Sequence, residues 1–518
     1  MGSNRSRSSR CRSLQYNMHP ELAVLVTLAS TASAEVPRFN PVDVPAHIYD
    51  GGWEHFVGGG VAVFDCDLDA LPELFVAGGA NPSQLFRNTS GSDVSFRVET
   101  PEQLSLTGVT GAYPLDIDSD GIMDLVVLRV GEDVLLKGEP DCAFSPFETI
   151  GFQSDDHWTT GFSATWEMGQ TLPTLAFGTY VDRFDPEGPF ETCGPTLLYR
   201  PDGDSYQGPQ QLEPGYCALS LLFSDWARTG RADLRVSNDR HYYVRGGQEQ
   251  LWAMEPEPRL YTSDDGWLPY SIWGMGIASR DLTGDGFPEV YLTSMGDQKF
   301  QVFDPRADGP TWRDATYEKG TTAHRPHVGG DGRPSTGWHA QFGDANNDGL
   351  DDIFVAKGNV EQMPDAALND PNNLLLQQAD GHFTESSDQA GIASTAKSRG
   401  AALADLNNDG LLDLVVVNRG ANLEVYQNQS DPRNWLLVDV SQNRPNRSAI
   451  GGFIEVRTDL GLQTREITLG GGHAGGSSVL HHFGLGDADR IDIRMIWPDG
   501  ETGDWHRVRP NQKTRLKR

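Results

Sequence analysis

The chain has 518 residues, with 41 Lys and Arg set against 73 Asp and Glu, a formal net charge of −32. Such acidity, with no basic stripe anywhere, excludes a nucleic-acid partner, because phosphate contacts need clustered Lys and Arg. The 58 glycines and the sparse helical periodicity point to a turn-rich β protein, and the length suits a large domain plus a small one.

Residues 1–34 are the exception to the acidity, with Arg5, Arg7, Arg10 and Arg12 against a lone Glu21. An apolar run at 22–28 follows the arginines, and Ala32-Ser33-Ala34 follows the run. Basic region, apolar region and Ala-x-Ala site is the order of a secretory signal peptide, so a secreted, periplasmic or extracellular protein is expected. Met18 offers a second start. Removing 1–34 takes the formal charge from −32 to −35. No other stretch approaches the ~20 apolar residues of a membrane span.

From residue 65 onward a nine-residue acidic loop recurs, each copy followed by a short apolar strand. Five copies carry oxygen ligands at positions 1, 3, 5 and 9. These are Asp65, Asp67, Asp69 and Glu73; Asp116, Asp118, Asp120 and Asp124; Asp281, Thr283, Asp285 and Glu289. The last two are Asp344, Asn346, Asp348 and Asp352, then Asp405, Asn407, Asp409 and Asp413. Glycine at position 6 supplies the positive φ of a sharp turn, except in the first copy, where Ala70 stands. A hard-oxygen donor set suits Ca²⁺ better than zinc, copper or the tight octahedron of magnesium, so about five Ca²⁺ sites are expected. An EF-hand would need Glu at position 12, whereas Val76, Val127, Leu292, Val355 and Val416 stand there, in strand-like surroundings.

Two eroded copies fill the gap. One runs from Asp225 to Asp233 without carboxylates at positions 3 and 5; the other, 166–174, has no ligands. Position 1 then falls at 65, 116, 166, 225, 281, 344 and 405, steps of 51, 50, 59, 56, 63 and 61 residues. Several short strands per period of this length predict an all-β protein, a seven-bladed β-propeller over residues 35–430. The seventh unit lacks a fourth strand, and Phe39 with its neighbours is expected to supply it from the other end of the chain. The loops resemble the FG-GAP repeats of integrin α-chains and the related VCBS repeats, a resemblance that implies Ca²⁺ held within propeller blades.

Residues 431–518 have no acidic loop and alternate like strands at 435–440, 453–457, 464–468 and 491–497, a compact β domain. Asn434-Trp435-Leu436, Ile450-Gly-Gly, Gly470-Gly-Gly-His473, Ser477-Ser478, the run His481 to Gly486 and Trp497-Pro-Asp-Gly500 resemble the ASPIC/UnbV domain. That family includes cartilage acidic proteins and bacterial proteins of enediyne biosynthesis clusters, and it implies architecture more than activity.

Four cysteines remain outside the leader, Cys66, Cys142, Cys193 and Cys217. Four cysteines allow three pairings; Cys193 with Cys217 or with Cys142 is preferred over any pairing of Cys66, which lies in a metal loop, and four free thiols remain an alternative. No catalytic motif emerges from the thirteen histidines. His324 and His327 read as loop residues, His481 and His482 as one core and one solvent side chain, and Trp166, Trp273 and Trp338 as packing between blades. The expected function is non-catalytic binding of a protein or glycan by a monomer, through long loops such as 183–215 and 305–335. The alternative is an enzyme or accessory protein of enediyne-like biosynthesis with its site in the propeller channel.

Overall fold

The computed structural model describes residues 34–239 and 245–518. The leader therefore lies outside the described residues, except for Ala34.

Alternating apolar residues and tight turns fold the chain into seven successive antiparallel four-strand units. Their first strands are Val61–Phe64, Val109–Leu115, Asp156–Thr165, Ala218–Ser224, Gly274–Arg280, Gly337–Gly343 and Lys397–Ala404. Each packs against the next, and the seventh against the first, giving a propeller-like ring with these strands innermost. Units 2 and 3 also share one sheet, because Val130 to Glu132 pair with Asp156 to Trp158. The outer strand of unit 7 is Phe39–Val42, paired with Glu424–Asn428, so the N-terminal segment closes the ring as the missing strand predicted. That closure covers an edge that would otherwise offer unpaired backbone groups.

The C-terminal strands form two further sheets. Asn434–Ser441 lies between His481–Gly486 and Gln512–Lys517. Phe453–Arg457 and Ile491–Ile496 pair centrally, flanked by Leu462–Glu466 and His506–Val508. The strand expected at 464–468 ends two residues earlier, because Ile467 and Leu469 leave the sheet for the ring. Their side chains join Leu436, Ile454, Phe483 and Trp497 to Tyr113, Phe162 and Leu175 in a single apolar core. Residues 34–518 accordingly form one compact unit.

Beyond Leu469 the chain enters the axis of the ring. Leu469 bridges Ala164, Gly470 bridges Leu222, Gly472 bridges Ile277, Gly475 bridges Ala112, and Ser477 and Ser478 pair with Val63 and Phe64. Five of the seven inner strands thus bond this one segment. His473, fully buried, donates its backbone N–H to Nδ1 of His339 (3.0 Å) and accepts the N–H of Gly58 at Nε2 (3.2 Å). Its Nδ1 lies 3.2 Å from the Met275 carbonyl, which fixes the tautomer with the proton on Nδ1. Burial pulls its pKa down to about 3, so the ring stays neutral and packs edge-on to Trp338. Glycines in the inner strands make room: a Cβ on Gly60 would sit 1.7 Å, and on Gly111 1.9 Å, from the carbonyl oxygen of Ala474.

Two disulfides join neighbouring units, Cys66–Cys142 between units 1 and 2 and Cys193–Cys217 between units 3 and 4. The second is a preferred pairing; the first corrects the exclusion of Cys66. Cys66 occupies loop position 2, and its sulfur lies 3.3 Å from the position-9 carboxylate of Glu73 while bonding Cys142 of unit 2.

Gly111→Val should force the axial segment out of register, lowering stability by about 2 kcal/mol or more in urea unfolding and raising hydrogen exchange at 469–476.

Candidate metal centres

Every acidic loop has the same backbone cage. The position-1 carboxylate accepts the N–H of position 6, as in Asp65 with Ala70 (2.8 Å), Asp281 with Gly286 (2.9 Å), Asp344 with Gly349 (2.7 Å) and Asp405 with Gly410 (2.8 Å). The position-5 carboxylate accepts the N–H of position 7, from Asp69 with Leu71 to Asp409 with Leu411. Positions 4 and 6 are left-handed throughout, so Leu68 and Ala70 of loop 1 hold φ of 65° and 72° without glycine.

Position 9 does something the spacing alone conceals. Asp413 is fully buried; one oxygen takes the N–H of Leu406 (3.0 Å) and the other that of Asn428 in the third strand (2.8 Å). Asp352 binds Ala345 and Gln377 in the same way, Asp124 binds Ile117 and Gly138, and Glu73 binds Cys66 and Asn88. The residue predicted as a ligand is also a clasp between loop and blade. Unit 4 supports this: having lost positions 3 and 5, it keeps Asp233, which takes the N–H of Met254 and hydrogen bonds from Trp226 and Tyr261. In unit 3, Glu167 does comparable work by accepting from Thr174 (2.8 Å) and Arg200 (2.7 Å).

Among the described residues, three carboxylates bring ligand oxygens within 4.8 Å of one another in loop 1 (Asp65, Asp67, Glu73) and loop 2 (Asp116, Asp118, Asp124). Cys66, Glu73 and Cys142 are equally close, but both sulfurs are spent in the disulfide. Asp116 Oδ1 is buried without a hydrogen-bond partner, an oxygen that a cation would satisfy. Asp69 and Asp120 stand at position 5 beside these groups. Loops 5, 6 and 7 keep the cage, but their carboxylates do not draw together as tightly; Asp285 and Thr283 are at the rim of loop 5. Asn346 and Asn407 turn their amide Nδ2 toward Asp348 (3.1 Å) and Asp409 (2.9 Å). The oxygen set of all five loops fits a hard divalent cation.

Burial pushes Glu73, Asp116 and Asp405 up to about 7, and Asp124 and Glu289 up to about 8, with neighbouring carboxylates adding to the shift. Asp344, Asp352 and Asp413 lie well above the ordinary carboxylate range for the same reason. Two cations missed by the spacing moderate this charge. Arg87 pairs with Asp67 and Asp141, and Lys137 with Asp118 and Asp120. Both come from the third strand of their unit, too far along the chain to be read as part of the loop.

The loops also carry the C-terminal module. Asn446 donates its N–H to Ser119 of loop 2 (2.9 Å), and Glu466 accepts from Ser224 and Asp225 of unit 4 (both 2.6 Å). Thr464 bridges Asp281, Gly486 donates to the Asn347 carbonyl (2.9 Å), and Arg465 pairs with Asp351 (2.9 Å). Trp435 lies flat on Gly410, whose carbonyl is 3.0 Å from Nε2 of His482. His482 is therefore a docking residue, and His481 is half-buried rather than solvent-facing. His324 and His327 are not free loop residues either: His324 bonds the Gly296 carbonyl and Tyr317, and His327 meets Asn373, Glu385 and Ser387. Trp338 is at the ring axis, fully buried under Arg399.

Comparison with known proteins fits this architecture. Residues 65–127, 281–355 and 344–416 match the FG-GAP-like repeat, and residues 442–518 match the ASPIC and UnbV family. The chain thus carries FG-GAP-like repeats followed by an ASPIC/UnbV domain, and the unmatched stretch between 127 and 281 holds the two eroded units. Its weak similarity to cartilage acidic protein 1 is 24% identity over 234 residues with the mouse protein, 44% of this chain and 34% of that one. With the human protein it is 31% over 110 residues, 20% and 16%. The chain spans about a third or less of the length of these relatives. Similar solved structures include BBS1N in complex with ARL6DN (TM-score 0.42, 10% identity, 75% of this chain and 96% of that one). An Agrocybe aegerita lectin that recognises terminal N-acetylglucosamine gives 0.38, 15%, 71% and 94%.

Asp413→Ala should strand two buried N–H groups and cost about 3 kcal/mol in denaturant unfolding, metal or no metal. Asp409→Ala, at a loop position whose bonds stay within the loop, should cost about 1 kcal/mol in metal-free buffer.

Proposed function

We propose that this chain is an exported, Ca²⁺-binding, seven-bladed propeller that binds a protein or glycan partner without catalysis. One observation carries the reading: the protein's own C-terminal module occupies the acidic-loop face and the axis and, among the described residues, does not cover the opposite face. Strands alternate in direction, so the connections after second and fourth strands emerge there. Those connections hold Trp53, Phe184, Phe190, Leu268, Tyr317 and Leu368, all exposed. Exposed aromatic side chains gathered on long loops of one face are the usual marks of a recognition surface. The alternative places a reaction in the channel, where segment 469–476 takes up the space.

Export is supported by the leader pattern and by two disulfides, which persist in oxidising compartments. No helix among the described residues is long and apolar enough to cross a membrane. Ca²⁺ is supported by the donor set and by the unpartnered oxygen of Asp116.

Capture of a partner from the native extracellular or periplasmic fraction should be lost with Trp53→Asp or Phe184→Asp and retained with Arg507→Ala in the module. Loss with all three, or with none, would refute a far-face site.

The pH dependence tests the metal separately. Carboxylates raised to about 7 or 8 hold protons more tightly folded than unfolded, so their contribution to metal-free stability is fully present below about pH 4 and is lost progressively as pH rises to about 7 to 8. Ca²⁺ binds the deprotonated form. Adding it at pH 7 should release protons, seen as a buffer-dependent binding enthalpy, and its stabilisation should grow from pH 5 to pH 8.

A further inference from the structure

Between the ring and the C-terminal module lies a cavity of about 540 Å³, a volume suited to a small organic ligand. It opens where docking stops. Among the acidic loops, loop 1 alone has no hydrogen bond to the module within the described residues. There Leu68 is 67% exposed despite its left-handed backbone, and Ala70 holds the same strained conformation beside it. Loop 1 is held by its own Asp65, which accepts the N–H groups of Leu68 (2.7 Å) and Ala70 (2.8 Å), and by Asn408, but the module leaves the Leu68 side chain uncovered.

The rest of the lining is amphiphilic. Leu115, Val479 and Leu480 supply apolar wall. Arg447 is half-buried, with its guanidinium laid over Gly121; within the described residues its side chain makes no hydrogen bond, and its charge acts on Asp116. Lys517, at the rim, has no acidic partner, whereas neighbouring Arg515 is paired with Asp439 (2.6 Å). Asp65, Asp116 and Asp405 also line the cavity, each the position-1 carboxylate of its loop.

We infer that this cavity binds a small amphiphilic organic anion, its acid group on Arg447 and Lys517 and its apolar body against Leu68, Val479 and Leu480. A planar guanidinium whose N–H groups make no hydrogen bond is matched to a carboxylate or phosphate once a cation has neutralised the neighbouring Asp116. The inference rests on the metal reading in one respect: Asp65, Asp116 and Asp405 must be neutralised by cations before an anion is tolerated beside them.

The test uses the full chain, loaded with Ca²⁺ in calorimetry so that metal binding is recorded on the same sample, and then titrated with decanoate. Saturable one-to-one binding is expected, weakened at least about tenfold by Arg447→Gln with the Ca²⁺ isotherm unchanged. Leu68→Asn tolerates the left-handed backbone, so it should weaken decanoate while leaving the melting temperature equal or higher, which a merely structural role for Leu68 would not give. Inorganic phosphate should bind more weakly than decanoate, and decyltrimethylammonium should not bind. Normal Ca²⁺ uptake with no decanoate binding, binding indifferent to both variants, or preference for the ammonium ion would overturn the inference. Absence of Ca²⁺ uptake would instead refute the metal reading.

Discussion

The structure depends on the filling of its axis. A ring of seven sheets cannot close tightly at the centre with full-sized side chains alone, because the inner strands converge on a space that is too narrow for many of them and too wide to leave empty. Here a run of glycines from the far end of the chain takes that space. Gly470, Gly471 and Gly472 all have positive φ, and the segment offers backbone groups to five inner strands. Backbone-to-backbone bonding suits such a centre, since a single segment meets strands arriving from several directions and buried N–H and C=O groups must find partners.

That arrangement makes the acidic loops a platform as well as a set of oxygen cages. They cap the inner strands on one face, and the module whose glycine run fills the axis is bonded to most of them. Loop shape is fixed by carboxylates that hold backbone N–H groups, and position 9 ties that shape to the blade. Loop and module are coupled through Asp351 with Arg465 and through Gly410 under Trp435, contacts that a shifted loop would lose. Units 3 and 4 keep their turns with backbone bonds (Gln170 to Glu167, Arg228 to Asp225) and a few side-chain hydrogen bonds, so the fold tolerates cages without a full oxygen set.

Much of this was legible because it is local. The nine-residue loop carries its ligands within itself, its recurrence counts the units, and the missing strand of unit 7 points to Phe39–Val42. The axial segment was not legible: Gly470-Gly-Gly reads as a turn, and its partners Gly60, Gly111 and Ile277 are hundreds of residues away. Cys66 was misjudged because a place inside an acidic loop was taken to exclude a bond to the neighbouring unit, whereas its sulfur reaches Cys142 from beside Glu73. The clasp role of position 9 did leave a signal. Unit 4 retains Asp225 and Asp233 while losing positions 3 and 5; Asp225 holds the turn through Gly230, and Asp233 reaches beyond the loop to the N–H of Met254. Arg87 and Lys137 left none, since nothing in their own neighbourhood marks them as reaching a loop.

The strand Phe39–Val42 has a consequence for how the protein is made. It is made nearly four hundred residues before its partner Glu424–Asn428. Until then one edge of the nascent ring stays unpaired, and the axis waits longer still, for residues beyond 469. Early blades can form as they appear, but the ring is sealed late, its outer edge when Glu424–Asn428 meets Phe39–Val42 and its centre when 469–478 arrives. A product that terminates early would therefore keep both an open edge and an open centre, which gives a quality-control system two exposed features by which to tell an incomplete molecule from a finished one.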